Sequence, residues 1–378
     1  MHLVTNTSEN TSGCQLSETI EQIDLGISTT MNRAAQAVVK NKTLIDAAVA
    51  EYDAKMLAGD LHDGGYGPAE PFPFLHRIVP FAYTLERSNS PVLARVPTAN
   101  TLGCSWKWRR GSLDVAEKAK CRAELDNEAA LLNGTLDTAS YAWIKPLGLI
   151  APGEGKNRVD FFRGERIESI PAMVTEWTYA EPDRIVLYSV KDSAFEATWA
   201  VLDGRWVEFV PNPSWTSPLM DAYGVSIENP WPKTFPAPAD VLQAMFDTAR
   251  FNSPLGHPVY GHVTVIDLDT IKAIDEFQAE PQRTTMTDLK GVKVDHRVWQ
   301  LSIVGVLSAL VLMILLPAQW VEARIACGIL MGAAGCAGML PYLMHIITVP
   351  RSGLAKEQYL PPERCPKNAG RQGNRKLG

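Results

Sequence analysis

The chain has 378 residues, and its 36 basic and 42 acidic side chains give a formal net charge of −6 at pH 7. This net charge argues against a protein that binds nucleic acid over its whole surface. Six cysteines without a CxxC pair exclude a disulfide framework and fit a reducing compartment.

The N-terminal region is predicted to be disordered and then helical. Residues 1–28 are polar and lack the apolar core of a signal peptide. From Met31 to Met56, apolar side chains recur at helical spacing, which predicts a helical segment over residues 29–70 that Asn41 can divide in two.

A short basic and aromatic cluster follows, Trp106–Arg110, with the sequence WKWRR. Such a cluster can grip single-stranded nucleic acid by stacking and charge. A half-buried structural turn is the reading that we favour for a single cluster. The next segment, Ser112–Leu132, is charged and Ala-rich and predicts a helix ended by Asn133 and Gly134.

From Ile144 onward the sequence predicts strands interrupted by few helices. The Asp203-Gly204 pair is a strong hairpin-turn signal. Residues 211–238, rich in Pro, Trp and Asn, are predicted to form a long loop. The expected elements are strands at Leu147–Ala151, Ile170–Trp177, Arg184–Lys191, Phe195–Leu202, Arg205–Val210 and Gly261–Ile271, and helices at Val159–Arg166 and Ala239–Arg250.

One stretch has the pattern of an anion-binding turn, in which a strand is followed by glycines and then by a helix. The glycines bring backbone N–H groups of a helix N-terminus to a flexible turn, where a phosphate can bind. Lys156 and Arg158 add cationic donors. Neither a Walker loop nor a GxGxxG turn is present. The predicted phosphate-binding residues are Gly155, Lys156, Asn157 and Arg158.

Over residues 144–180 the pattern resembles the nucleotide-binding corner of the ParB/sulfiredoxin-like family. The Gly-x-x-Arg turn is Gly155-Lys156-Asn157-Arg158, and the strand opening with Ile-Pro-Ala-x-Val is Ile170-Pro171-Ala172-Met173-Val174. The resemblance implies a mixed sheet with helices. It also implies that the turn contacts the phosphates of a nucleoside triphosphate, with Mg²⁺ where chemistry occurs.

Departures from that family narrow the implied chemistry. Lys156 stands where sulfiredoxins carry cysteine, so sulfinic-acid reduction is not expected. An Asn-x-x-Arg box and a helix-turn-helix module are missing, so centromere binding is not expected either. Relatives that bind or hydrolyse nucleotides, phosphorylate small molecules or cut nucleic acid remain. The alternative is that Gly155 only permits a tight turn, with Lys156 and Arg158 solvated.

Two further groups of polar residues carry weaker signals, and no metal site is predicted from them. His257 and His262 lie in a Pro/Gly-rich loop, and a zinc site needs more ligands than these. Asp267 and Asp269 would share one face of a strand, where paired carboxylates can bind a metal. Exposed acidic residues at a strand end are the reading that we favour.

Two uncharged apolar runs near the C-terminus predict a transmembrane hairpin. Leu301–Val321 holds 21 residues and Ile325–Pro350 holds 26, with His345 the single titratable group near neutral pH. At about 1.5 Å per residue each run can cross a hydrocarbon core of about 30 Å. The lipid bilayer is therefore a predicted partner.

Flanking charges predict the orientation of the hairpin in the cell (inner) membrane. The connector between the runs holds one basic residue, Arg324, while basic residues are concentrated before the first run and after the second. By the positive-inside rule both termini are cytoplasmic. Within the second run, Gly328 and Gly332 form a small-xxx-small pair, which can pack against the first run or, secondly, support self-association between chains.

The predicted fold is an α+β soluble domain with a mixed sheet, preceded by N-terminal helices and followed by the two-helix hairpin. The predicted segments are a disordered N-terminus 1–28, a helical segment 29–70, the α+β domain 71–275, a stalk 276–297, the transmembrane hairpin 298–350 and a basic disordered tail 351–378.

Two functions fit these features. The first is a membrane-anchored cytoplasmic nucleotide-binding protein with phosphoryl-transfer, nucleotide hydrolase or nuclease activity, which predicts acidic residues near the Gly155 turn. The second is a non-catalytic membrane-tethered interaction or assembly protein, which predicts an exposed aromatic patch. The acidic candidates are Glu154, Asp160 and Glu165, and the aromatic candidates are Trp206, Trp215 and Trp231.

Overall fold

The structure is a computed structural model with mixed α/β architecture, and it divides into two compact units. The first unit runs to Asp267 and the second begins at Leu268. Residues described are 20–50, 58–62, 67–88, 90–104, 113–135, 139–247, 265–291, 296–356, 358–364 and 366.

The first unit begins with a single long helix, α1, without a break at Asn41. The Ser28 hydroxyl accepts the N–H of Met31 at 3.1 Å and so satisfies one free donor of the first turn. Met31, Ala35 and Val38 are buried, as the apolar periodicity predicts. The helices of this unit are α1 Thr29–Ala50, α2 Pro71–Ile78, α3 Val115–Leu125, α4 Glu128–Leu132, α5 Lys156–Gly164, α6 Pro213–Tyr223 and α7 Pro238–Phe246.

A five-stranded mixed sheet carries the turn that the sequence singles out. Strand β5 is central: β3 pairs with one of its edges in parallel, β1 and β2 pair with the other edge, and β4 closes the sheet against β3. Its strands are β1 Glu86–Arg87, β2 Val92–Pro97, β3 Ser140–Ile144, β4 Leu149–Pro152 and β5 Ser169–Thr178.

The second sheet contains the predicted meander. Asp203 and Gly204 both have positive φ, 55° and 65°, and connect β7 to β8 as predicted. The sheet order is β10-β8-β7-β6-β9. Its strands are β6 Ile185–Lys191, β7 Glu196–Leu202, β8 Trp206–Phe209, β9 Ser226–Glu228 and β10 Val265–Asp267.

Two hydrophobic clusters hold the first unit together. The larger joins α1, α2 and α6 to both sheets through residues such as Phe74, Leu149 and Leu219. The smaller packs α5 on the first sheet, with Phe162 against Val174 and its neighbours. Helix α5 is therefore fixed by its apolar face, which positions the turn that precedes it.

The predicted long loop over residues 211–238 is wrong, because α6 and β9 lie within it. Pro213 occupies the first turn of α6, where its missing N–H costs nothing and its fixed φ suits a helix. Gly224 ends the helix in the left-handed conformation. The density of prolines and aromatic residues concealed these two boundary signals.

The second unit contains two apolar helices, with one short strand before them in the sequence and another after them. Its elements are α8 Leu268–Ala279, β11 Pro281–Thr284, α9 His296–Leu315, α10 Val321–Leu343 and β12 Ile347–Pro350. Among the described residues one helix is long and apolar enough to cross a membrane, over Val321–Leu340, and the apolar part of α9 is shorter, Gln300–Leu315.

The apolar runs are only partly helical, which corrects the predicted extents of the two spans. Helix α9 stops at Leu315 because Pro317 disfavours helical geometry at the residue before it. The second run was predicted to be helical to Pro350, but its end forms β12, where Ile347, Thr348 and Val349 are β-branched.

Strands β11 and β12 pair directly at the base of the two helices. Thr284 lies opposite Ile347, and a further bridge joins Leu289 to Leu354. The segment before α9 and the segment after α10 are thereby joined to each other. We refer to β11, β12 and this bridge as the clasp.

Part of the predicted disordered tail is structured. The guanidinium groups of Arg351 and Arg364 lie 4.3 and 5.6 Å from the ring centroid of Phe277, and both pair with Glu280. The predicted stalk likewise contains the end of α8 and all of β11.

Candidate functional site

The strand, glycine turn and helix predicted around Gly155 are present. Strand β4 ends at Pro152, and Gly155 has a φ of 86°, a left-handed conformation that favours glycine. Its carbonyl accepts the N–H of Arg158 at 2.9 Å, which begins α5. The helix starts at Lys156, three residues earlier than predicted, so the turn and the helix N-terminus coincide.

The four predicted phosphate-binding residues do not all face solvent. The Lys156 ammonium forms an ion pair with Glu70, the residue before α2. Asn157 has a buried Oδ1 without a hydrogen-bond partner in the described structure. Arg158 is 4 % exposed, and burial lowers its pKa. Lys156 is therefore the cation that the turn presents outward.

The three acidic candidates near the turn do not converge on it. Glu154 is exposed, and Glu165 lies beyond the far end of α5, where it pairs with Lys118 at 3.3 Å. Asp160 points inward and pairs with Arg163 at 2.8 Å. The arrangement that a catalytic reading predicts from these residues is therefore not formed.

A buried charge cluster between α1 and α5 was not predicted. Lys42 is 1 % exposed and its ammonium donates to Asp46 at 2.6 Å and to the Gly103 carbonyl at 2.8 Å. A Cβ added at Gly103 would lie 2.5 Å from an oxygen of Asp160 and would displace that side chain. Lys42 thus connects α1 to the loop that covers α5.

A sequence signal for this cluster does exist. Lys42 follows Ala35 and Val38 at helical spacing on the buried stripe of α1, where an apolar residue is expected. Its partner Asp46 is one turn further along, the spacing of an intrahelical ion pair. A lysine and an aspartate so placed indicate a buried pair.

The electrostatics of the cluster disfavour nucleophilic chemistry at its thiol. Burial raises the pKa of Asp46 to about 6, although Lys42 opposes this shift, and burial also raises the pKa of Asp160. Burial raises the pKa of the adjacent Cys104 thiol to about 12. Since the thiolate is the reactive form, Cys104 is not a nucleophile in this state.

The weaker candidates are separated or lie outside the described residues. Asp267 ends β10 and forms a bidentate pair with Arg205 at 2.9 and 2.6 Å, whereas Asp269 belongs to α8, so the predicted shared strand face is wrong. The segments holding Trp106–Arg110, His257 and His262 are not described. Within the described part of the chain no three His, Cys, Asp or Glu residues group as metal ligands.

The three tryptophans of the predicted docking patch are packed separately. Trp206 lies under the Arg205 guanidinium, at 4.6 Å from the ring centroid. Trp215 packs edge-on against Phe74, with the ring centroids 5.5 Å apart. Trp231 contacts Trp199 at 5.0 Å. All three side chains are half-buried, and each of these contacts is to a residue outside the set of three.

Because comparisons with known proteins found no match, a function has to be inferred from the residues described above. No protein-family model, no curated protein and no solved structure matches this chain. The resemblance to ParB/sulfiredoxin-like proteins stays a prediction from the two short motifs at Gly155 and Ile170.

Proposed function

We propose that this chain is a membrane-anchored cytoplasmic protein, with α9 and α10 inserted in a bilayer as a hairpin. The observation that carries the proposal is apolar exposure: only 12 % of the Val321–Leu340 stretch is buried inside the protein. Leu315 and Ile329 are 74 % and 67 % exposed, as are many other large apolar side chains of both helices. Water disfavours such a surface and lipid covers it.

The clasp supports an arrangement in which both ends of the hairpin emerge on one side. Because β11 pairs with β12, the start of α9 and the end of α10 lie together. Arg324, at the opposite end, donates to the Met313 carbonyl at 3.2 Å and so satisfies a terminal backbone acceptor of α9. The excess of basic residues near the clasp supports a cytoplasmic location for that end.

Membrane anchoring predicts a defined labelling pattern. In a full-length chain whose native cysteines are replaced by serine, Gln319→Cys should react with an impermeant maleimide on intact cells. Ser352→Cys should react only after permeabilisation, because it lies beside the clasp. The unlabelled parent should stay in the membrane after alkaline carbonate washing. Release by carbonate, or labelling of Ser352→Cys in intact cells, would contradict the proposal.

For the first unit we propose nucleotide binding, with a phosphate at the Gly155 turn. Left-handed Gly155 and the following N-terminus of α5 supply backbone N–H groups of the kind that bind phosphate. Lys156, which is half-buried, supplies the positive charge, and a phosphate would replace the Glu70 carboxylate as its partner. Phosphoryl-transfer, hydrolase or nuclease chemistry with Mg²⁺ at this turn would need acidic residues other than Glu165 and Asp160, which pair with Lys118 and Arg163.

Nucleotide binding predicts a thermal shift that depends on Lys156. The full-length chain in mild detergent would be screened with ATP, ADP, CTP and GTP, with and without Mg²⁺. A ligand at 100 times its Kd adds about 2.7 kcal/mol of stability. Lys156→Ala should abolish the shift. Lys145→Ala should keep it, since that lysine pairs with Glu176 away from the turn.

Lys156 is a better probe than Arg158 because loss of a buried arginine would also destabilise the fold. A wild-type chain that shows no shift with any nucleotide at millimolar concentration would overturn nucleotide binding and leave membrane anchoring intact.

A second candidate is a non-catalytic membrane-tethered assembly protein, and a specific observation favours it. The hairpin packs through Gly338, where an added Cβ would lie 2.9 Å from the Ser302 Cβ, and not through the predicted pair. A Cβ added at Gly328 or Gly332 meets no atom within 4 Å. The role expected first for Gly328 and Gly332, packing against the first apolar run, is therefore wrong. The helix face that carries these glycines is open to self-association between chains. The nucleotide screen separates the two candidates.

A further inference from the structure

A groove between α1 and the turn after α5 combines apolar walls with basic side chains. It is open to solvent and has a volume of about 590 Å³, within the range of small-molecule sites. Val39, Leu44 and Ile167 supply the apolar walls. The charged residues that line it are the basic Lys40, Arg163 and Arg166 and the acidic Glu168.

Two of the basic groups are not neutralised by the protein. The Arg163 guanidinium donates hydrogen bonds to the Asp160 carboxylate at 2.8 Å and to the Thr101 carbonyl at 2.6 Å. The side chains of Lys40 and Arg166 form neither an ion pair nor a hydrogen bond in the described structure. Lys40 and Arg166 are therefore the donors available to a ligand in this groove.

The backbone at Arg166 gives an independent reason to assign it a role. The Ile167 N–H donates to the Phe162 carbonyl at 2.9 Å, the closure typical of a helix end at which glycine is preferred. Arg166 occupies the left-handed position, with a φ of 57°. The other described non-glycine residues with positive φ are Phe81, held by a buried carboxylate, and Asp203, in a hairpin turn. At Arg166 glycine would serve the backbone equally well, and the arginine side chain forms no ion pair or hydrogen bond with the described residues that would favour it there.

We infer that this groove binds a small phosphate monoester with an apolar body. A phosphate monoester carries a charge of about −1.5 to −2 at neutral pH, and Lys40 and Arg166 supply two cations against the single carboxylate of Glu168 in the groove. Arginine binds phosphate through two parallel hydrogen bonds, and lysine acts as a point charge. The apolar body lies against Val39 and Leu44, which bare phosphate would leave uncovered.

The site lies at the opposite end of α5 from the Gly155 turn, so it does not depend on nucleotide binding there. A soluble metabolite and the headgroup of phosphatidic acid share this chemistry. The two sources differ in whether the ligand is free in solution or part of the bilayer.

The test is calorimetric titration of the full-length chain in phosphatidylcholine nanodiscs with phenyl phosphate. Inorganic phosphate and phenol, which each supply half of the ligand, should bind at least tenfold more weakly. Arg166→Gly should lower the affinity for phenyl phosphate at least tenfold while the Tm stays equal or rises, because glycine suits the left-handed position. Lys40→Ala should weaken binding similarly. Lys118→Ala, outside the groove, should not.

No heat of binding in the wild type at millimolar phenyl phosphate would overturn the inference, as would full affinity in Arg166→Gly. Lys156→Ala should bind phenyl phosphate normally, and loss of binding in that variant alone would place the ligand at the Gly155 turn instead. Adding phosphatidic acid to the nanodiscs distinguishes the sources: competition identifies a lipid ligand, and unchanged affinity identifies a soluble one.

Discussion

Replacing Lys42 by methionine is expected to lower the free energy of unfolding by about 3–5 kcal/mol, the cost of removing one partner from a buried ion pair. Methionine fills a similar volume, so the loss isolates the charge. Asp46, only 11 % exposed, and the Gly103 carbonyl would lose their donor. Urea unfolding of the full-length chain in mild detergent, followed by tryptophan fluorescence, measures the change.

A matched control lies on α3, where Lys120 and Glu124 form a pair with the same spacing. Both side chains are more than 60 % exposed, and exposed helical pairs contribute about 0.3–0.5 kcal/mol. Lys120→Met should therefore change stability little. If Lys42→Met were as mild as Lys120→Met, the cluster would not be important for stability.

Glu208→Gln is expected to make the chain more stable at pH 8 while leaving it nearly unchanged at pH 5. Glu208 is 4 % exposed on β8, and burial raises its pKa to about 8. Its carboxylate accepts the N–H of Phe81 at 2.7 Å, and Phe81 has an unusual φ of 56°. Glutamine keeps an oxygen acceptor for this N–H but does not ionise.

The sign of the pH effect follows from proton binding. Between about pH 4.5 and 8 the folded chain holds the Glu208 proton that the unfolded chain has released, so this group lowers wild-type stability as pH rises. The slope is about 1.4 kcal/mol per pH unit. Above pH 8 both states are ionised and the loss is complete.

The measurement is the difference in unfolding free energy between wild type and Glu208→Gln at pH 5, 6.5 and 8. Groups common to both chains, Asp46 among them, cancel in this difference. Glu196→Gln, which removes an exposed carboxylate, is the control and should show no trend. A difference that does not vary with pH would contradict a buried, protonated Glu208.

The sequence predicted elements whose signals are local. The Asp203-Gly204 turn and the strand, glycine and helix around Gly155 depend on backbone preferences of a few adjacent residues, and both are present. The Lys42–Asp46 pair has a local signal that was overlooked, whereas the contact of Lys42 with Gly103, a residue far away in sequence, has none. Arg158 was predicted to reach a ligand, but its burial depends on how α5 packs against the first sheet. Local spacing does not contain that information.

The clasp has a consequence for how the chain is made. Strand β12 follows both apolar helices in the chain, so β11 has no partner until both have been synthesised. If the helices insert as proposed, β12 can reach β11 only after the chain has returned to the side from which it entered the membrane. Pairing of Thr284 with Ile347 can then occur only if neither helix has been left on the wrong side. Under the proposed membrane insertion, the clasp would therefore form only in a chain whose two helices have both been inserted correctly.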